Sequence, residues 1–284
     1  MGLPDYHTHT GRCGHGEGSA TEYVVAAQQA GLSALGVSDH LPVLHTQDPD
    51  LSMGLDQLQG YIDEVLELKR RYPGYVLLGI EADYRPDTIE QVKGLLAAHP
   101  FDYVIGSVHF IGDWGFDDPR EADHFESRGV DDAYRSYYEA VREAVACGAF
   151  TILGHLDLVK KFGYRTSLHL DETIDKLGRE IAHQGMIVEV NTAGLHKPVG
   201  ELYPSAEILA RLRRCGVSIT FGSDAHAPAH VGRDFERAVE AARSAGYTHY
   251  ARLDQQSPGQ RVRPRAVPLR TDPRRKGPAA CMSA

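Results

Sequence analysis

Residues 4–40 run PDYHTHTGRCGHGEGSATEYVVAAQQAGLSALGVSDH, and the order of apolar, polar and glycine-rich pieces in this stretch decides the fold. A short extended start leads into His7-Thr8-His9. A glycine-rich loop follows, and Ser19 and Glu22 then stand at the spacing of a capping box before a helix that stops at Gly31. The next apolar run, Ala34 to Ser38, ends in Asp39-His40. Strand, loop, helix and strand in this order make a parallel βα unit, because parallel neighbours need a crossover of about that length.

The unit repeats. Strands are predicted at Pro4 to His7, Ala34 to Ser38, Tyr75 to Ile80, Tyr103 to Val108, Phe150 to Gly154, Met186 to Val190 and Val217 to Phe221. Leu58, Ile62, Val65 and Leu66 form a helical stripe closed by Pro73-Gly74, and Ile89, Val92 and Leu96 form another that ends before Pro100. Further helices are predicted from about Asp131 to Ala146, Leu170 to His183, Ser205 to Cys215 and Asp234 to Ala245, with Gly148, Gly185 and Gly216 closing three of them. Seven strands with helical crossovers are too many for a small open sheet and one short of an eight-unit barrel. The predicted fold class is α/β, a distorted or incomplete barrel, with an open doubly wound sheet as the competing arrangement.

The polar residues at the strand ends follow one plan. His7 and His9, Asp39 and His40, Glu81, His109, His155, and Asp224 and His226 each lie just past a different predicted strand. A barrel gathers such positions at one mouth. His7 and His9, like Asp224 and His226, are two residues apart, so in extended backbone each pair projects to one side and can chelate a metal. His15 lies in the loop after the first strand, where glycines let a side chain fold back. His7, His9, His15, His40, Glu81, His109, His155, Asp224 and His226 are nine candidate ligands, too many for one ion, so a centre of two or three divalent ions is expected. Mixed imidazole and carboxylate donors suit Zn, Fe or Mn; a pure magnesium site would use mainly oxygen.

Composition limits the partners. The formal charge of -9 is unevenly spread: residues 255–284 hold seven basic side chains and one acid, leaving 23 basic against 38 acidic in the rest, a balance of -15. A body of that sign repels polyanions, so nucleic acid is not the expected partner and a small substrate is. No run of about eighteen apolar residues predicts a membrane span. The start has no export signal, and the scattered Cys13, Cys147, Cys215 and Cys281 fit a reducing cytoplasm. Residues 1–254 are read as one metal-dependent barrel and 255–284 as a basic Pro/Gly/Arg-rich tail, mobile because it lacks an apolar period.

The ordered segments DYHTHT, CGHGEGS, GVSDHLP, GIEADY, DYVIGSVHFI, GHLDLVKKFG, VEVNTAGLHKPVGELYPS and FGSDAHAP resemble the PHP superfamily, the polymerase and histidinol phosphatase domain, and most closely its histidinol-phosphate phosphatase branch. The resemblance implies a distorted seven-stranded (β/α)7 barrel of the PHP type with a trinuclear centre. By likeness, His7, His9, Glu81 and Asp224 would hold one ion, Glu81, His109 and His155 a second, and His15, His40 and His226 a third, Glu81 bridging the first two. It also implies a phosphoric monoester hydrolase of histidine biosynthesis that converts L-histidinol phosphate to L-histidinol and phosphate through an activated water, with Glu81, Asp224 and His226 in catalytic positions. Many branch sequences carry arginine before the KP of the GLxKP segment, whereas His196 precedes Lys197-Pro198 here.

Loop position suggests the substrate contacts. Glu17 would meet the amine, Asn191 the imidazole or amine, and Lys161, Arg165 or Lys197 the phosphate. A PHP-type phosphodiesterase or exonuclease, and a broader small-molecule phosphomonoesterase, would use nearly the same ligands; a metal-binding module without turnover is the reading from another class.

Overall fold

The computed structural model describes residues 2–46, 48–254 and 262–269. Its opening unit is the predicted one: β1 (Pro4–Asp5), α1 (Ala20–Gln29) and β2 (Ala34–Val37), with both hydrogen bonds of the Ser19/Glu22 capping box formed. After α2 (Leu58–Arg71) come β3 (Val76–Leu78) and β4 (Glu81–Asp83), two halves of a single stave interrupted at Gly79-Ile80. α3 (Ile89–Ala98) and β5 (Ile105–Ser107) follow, then a small hairpin of β6 (Phe110–Ile111) and β7 (Trp114–Gly115). The remaining units are α4 (His124–Arg128), α5 (Val130–Ala146), β8 (Ile152–Leu153), α6 (Asp171–Gln184), β9 (Ile187–Asn191), α7 (Ala206–Arg214), β10 (Ser218–Gly222) and α8 (Phe235–Ser244). A second hairpin, β11 (His249–Asp254) with β12 (Arg263–Pro268), completes the described chain.

All seven predicted strands are present. They form two parallel sheets, β1-β2-β3 and β10-β9-β8-β5-β4, and backbone bonds join these at both edges. At one seam Glu81 N donates to Asp39 O (3.1 Å), and Leu41 N to Glu81 O (2.7 Å). At the other, Tyr6 N donates to Phe221 O (3.3 Å) and His9 N to Ala225 O (2.8 Å), beside a parallel bridge between Thr8 and Ala225. The result is the distorted (β/α)7 barrel of the PHP type, in which the break at Gly79-Ile80 lets one stave pair first with β2 and then with β5.

Aromatic side chains hold the seams. Tyr61, buried on the inner face of α2, sets its hydroxyl between Val37 O (2.8 Å), which already accepts from Gly79 N (2.8 Å), and Gly79 O (2.6 Å), the carbonyl that the broken stave leaves to be satisfied. Tyr103 fills the barrel interior and donates to Tyr6 O (2.6 Å). Gly36 is glycine because a Cβ there would stand 1.9 Å from the Tyr103 hydroxyl. Below this layer Tyr6, Ala34, Leu77, Ile105, Ile152 and Ile187 form an apolar floor with Ala251, Leu253 and Val262.

That floor corrects the reading of the basic tail. Residues 262–269 are packed structure: β12 pairs antiparallel with β11 from His249↔Pro268 to Asp254↔Arg263, and Arg265 Nε lies 2.5 Å from Asp254 Oδ2. Among these residues only Val262 is buried and only Val267 and Leu269 are partly so, which is why no apolar period marks the strand. Residues 255–261 and 270–284 of the expected tail lie outside the described residues. No described helix is long and apolar enough to cross a membrane.

Candidate metal centre

Glu81 opens β4 at the centre of the mouth, and imidazoles from five loops surround it. Its Oε2 is 3.2 Å from His7 Nε2, 3.3 Å from His9 Nε2 and 3.0 Å from His40 Nδ1. Its Oε1 is 2.9 Å from His155 Nε2 and 3.7 Å from His109 Nε2. Asp224 Oδ1 lies 3.3 Å from His9 Nε2 and 3.7 Å from His7 Nε2. His226 Nε2 is 3.0 Å from His15 Nε2, and the His226 ring stacks on His9 at 4.4 Å. All nine candidate ligands are thus brought together, from positions 7 to 226 of the chain.

These side chains only partly satisfy one another. His7 Nε2, His9 Nε2 and Glu81 Oε2 are buried without a hydrogen-bond partner. His109 Nε2 faces His155 Nε2 at 3.2 Å, while the other nitrogen of His109 is already committed to Asp83 Oδ1 at 2.7 Å. Donor atoms on one tetrahedral zinc, with bonds of about 2.0–2.1 Å, stand roughly 3.3 Å apart, which is the spacing of these contacts. Leaving such groups buried and unpaired is costly, and a divalent cation would remove the cost. The donor set therefore fits metal, in overlapping groups that include His7-His9-Asp224, His7-Glu81-His155, His40-Glu81-His109 and His9-His40-His226.

An outer set of acids fixes which nitrogen faces inward. Glu189, fully buried on β9, is 2.8 Å from His7 Nδ1 and accepts from His155 N at 2.9 Å. Gly222 leaves room for it, since a Cβ there would lie 1.7 Å from Glu189 Oε1 and 2.7 Å from His7 Cβ. His226 Nδ1 is 2.9 Å from Asp224 O, and His9 Nδ1 is 3.3 Å from Cys13 Sγ, which in turn donates to Asp39 Oδ1 at 3.3 Å. Orienting partners of this kind set the tautomer and aim of ligand imidazoles. Asp224 has φ of 52°, a left-handed conformation that non-glycine residues rarely take and that is typical of constrained functional positions.

The electrostatics divide the centre. Burial opposes ionisation of Glu81, yet His7 and His40 hold its carboxyl well below the usual carboxylate range; Asp224 is held low against burial by His7 and His9. Burial also works against charge on His7 and His109. Glu189, Glu81 and Asp224 nevertheless raise His7 well above the ordinary imidazole value, and Asp83 and Asp117 raise His109 to about 10. Burial keeps His40 well below that value and lowers His226 to about 3, with the neighbouring His9 adding to both effects.

The substrate-contact expectations fare unevenly. Asn191 is corrected: it is fully buried, its Nδ2 donates to Glu189 Oε2 (3.0 Å) and its Oδ1 accepts from Ala193 N (2.8 Å), so it braces Glu189 beneath the surface of the mouth. Lys161 Nζ lies 3.0 Å from Asp117 Oδ2, and Arg165 Nη2 lies 2.5 Å from Glu201 Oε1. Glu17 is exposed beside His226, whose carbonyl accepts its backbone N–H at 2.8 Å, and Lys197 is exposed as well. Sequence reading missed Glu189, Asp83 and Asp117; a lone acid inside the apolar run IVEVN was the available signal for the first.

Comparison with known proteins decides the family. The PHP domain matches residues 5–193, and a protein of Deinococcus radiodurans named probable histidinol-phosphatase is 42% identical over 250 residues, covering 86% of this chain and 94% of its own length. The chain belongs to the PHP family. Its relatives in the histidinol-phosphatase branch include the Bacillus subtilis histidinol-phosphatase, 27% identical over 83% of this chain and 98% of that protein. The PHP fold is shared with the histidinol phosphate phosphatase of Lactococcus lactis, solved in complex with zinc, L-histidinol and phosphate. That structure superposes with a TM-score of 0.71 at 24% identity, over 92% of this chain and 98% of the other.

Proposed function

We propose that this protein is a histidinol-phosphatase, hydrolysing L-histidinol phosphate to L-histidinol and inorganic phosphate in the cytoplasm. The observation that carries the reading is the convergence of His7, His9 and Glu81, with unpartnered buried atoms, among six further candidate ligands at the mouth of the barrel. The Deinococcus relative supports the same activity, and the Lactococcus protein binds zinc, L-histidinol and phosphate in a related fold.

His7, His9, Glu81 and Asp224 would hold one ion, Glu81, His109 and His155 a second, and His15, His40 and His226 a third. When bound, divalent Zn, Fe or Mn supplies Lewis acidity that lowers the pKa of water and neutralises phosphate charge. The chain's own residues supply placement. Glu189 and Asp83 turn His7 and His109 to face Glu81, so the ligand atoms are aimed before any ion arrives. Asp224, kept ionised by His7 and His9, would take the proton of the attacking water at Oδ1 and return it to the leaving oxygen. His226, kept neutral and half-buried at the rim, is the third catalytic group, its Nδ1 beside Asp224 O. Glu17 offers negative charge to the substrate amine and Lys197 positive charge to the phosphate; Lys161 and Arg165 would reach the phosphate only by leaving Asp117 and Glu201.

Phosphate release after separate reconstitution with manganese, zinc and iron tests the function. Histidinol phosphate should be turned over in preference to sugar phosphates, nucleoside monophosphates and single-stranded DNA. Cleavage of DNA without turnover of histidinol phosphate would reject the reading.

A further inference from the structure

The basic side chains around the mouth differ in whether a carboxylate already occupies them. Lys160 is fixed between Asp157 (2.7 Å) and Glu201 (3.0 Å), Lys161 is paired with Asp117, and Arg165 with Glu201. Lys197 and Arg233 are different: among the described residues neither side chain has a hydrogen bond or an ion pair. Arg233 is also half-buried, with no protein partner for its guanidinium among the described residues.

The backbone carrying Arg233 is clamped from the neighbouring loop. Thr192 Oγ1 donates to Arg233 O at 2.8 Å, and His196 Nε2 lies 2.6 Å from Oδ2 of the adjacent Asp234. Asp234 takes a left-handed turn with φ of 61°. Two loops from successive staves, β9 and β10, therefore present Arg233 and Lys197 together. Lys197, though largely exposed, has its ammonium disfavoured by partial burial, by Lys161 and by Arg233 and favoured by Asp224 and Asp117, so these four charges are within electrostatic reach of it. Two adjacent unpaired cations in a chain with 39 acidic residues are an incomplete site that an anion completes.

We propose that Arg233, with Lys197 beside it, binds the phosphate group of the substrate and is the guanidinium that recognises it in this chain. The inference rests on the reading that the mouth accepts a phosphate monoester. A planar guanidinium can hold two phosphate oxygens at once, whereas a lysine offers a single mobile charge. Arg165 is exposed and bound to Glu201, and would have to break that pair to compete.

The full-length, metal-loaded protein and its Arg233→Ala and Arg233→Lys variants test this. Metal content, calorimetric affinity for inorganic phosphate, and KM and kcat on histidinol phosphate are compared. Arg233→Ala should keep its metal while its phosphate Kd and its KM rise by about 10- to 100-fold, with a smaller change in kcat, the scale expected for a charge-assisted contact. Arg233→Lys should recover part of the loss, because charge returns without the two-point geometry. Phosphate affinity and KM within about twofold of the parent protein would overturn the proposal, and so would loss of metal from Arg233→Ala, which would make the residue structural. If the parent protein turns over no histidinol phosphate, the functional reading fails, and the phosphate titration still decides the role of Arg233.

Discussion

Glu189 touches no inward-facing donor atom, yet it holds His7 by Nδ1, His155 by its backbone amide and Asn191 by its side chain. Glu189→Ala should therefore weaken metal binding by about 10- to 100-fold, as loss of an orienting partner does. Chelator competition measures it, and unchanged affinity would refute the role. Gly222→Ala should damage the same place by another route, since the added methyl meets the Glu189 carboxylate and His7. Reduced metal retention in that variant, measured by metal analysis, is the expected result. At this scale the candidate ligands were legible because they follow six different apolar runs. The substrate contacts were not, because whether Lys161 or Arg165 is free depends on Asp117 and Glu201, which approach them only in the folded chain.

The stave split into β3 and β4 puts the carbonyls of Val37 and Gly79 within reach of one hydroxyl, that of Tyr61 on α2. Tyr61→Phe takes the hydroxyl donor from Gly79 O, while Val37 O keeps its bond from Gly79 N, at a cost of about 1–3 kcal/mol. The midpoint of urea unfolding should fall accordingly, and a variant as stable as the parent would show that water replaces the hydroxyl. Apolar runs located all seven staves, since strands buried on both faces read as continuous hydrophobic segments. The two hairpins escaped notice for opposite reasons. β6 and β7 are only two residues each, and β12 is largely exposed, so neither carries the alternation that marks a half-buried strand.

Over the whole molecule, protonation and metal occupancy are linked. His109, raised to about 10, stabilises the metal-free fold fully below the ordinary imidazole pKa near 6.5, and that contribution is lost as pH climbs through about 10. Metal must displace protons held on His7 and His109, so binding should release protons and strengthen as pH rises. Calorimetry with and without chelator should show the Tm advantage of the loaded protein widening from pH 7 to 9. A constant gap would contradict the protonation state assigned to these histidines.

The floor of the barrel carries a consequence for biosynthesis on the ribosome. Leu253 N donates to Tyr6 Oη at 2.8 Å, a bond across 247 positions, and Ala251, Leu253 and Val262 complete an apolar layer begun at Tyr6. A nascent chain that has exposed every ligand through His226 still lacks these three side chains, and its first strand has no finished core to rest on. Such distant pairings form slowly. The emerging polypeptide would pass through a stage in which its histidines are loose chelators, and selective capture of the ions would wait until synthesis has moved past Val262.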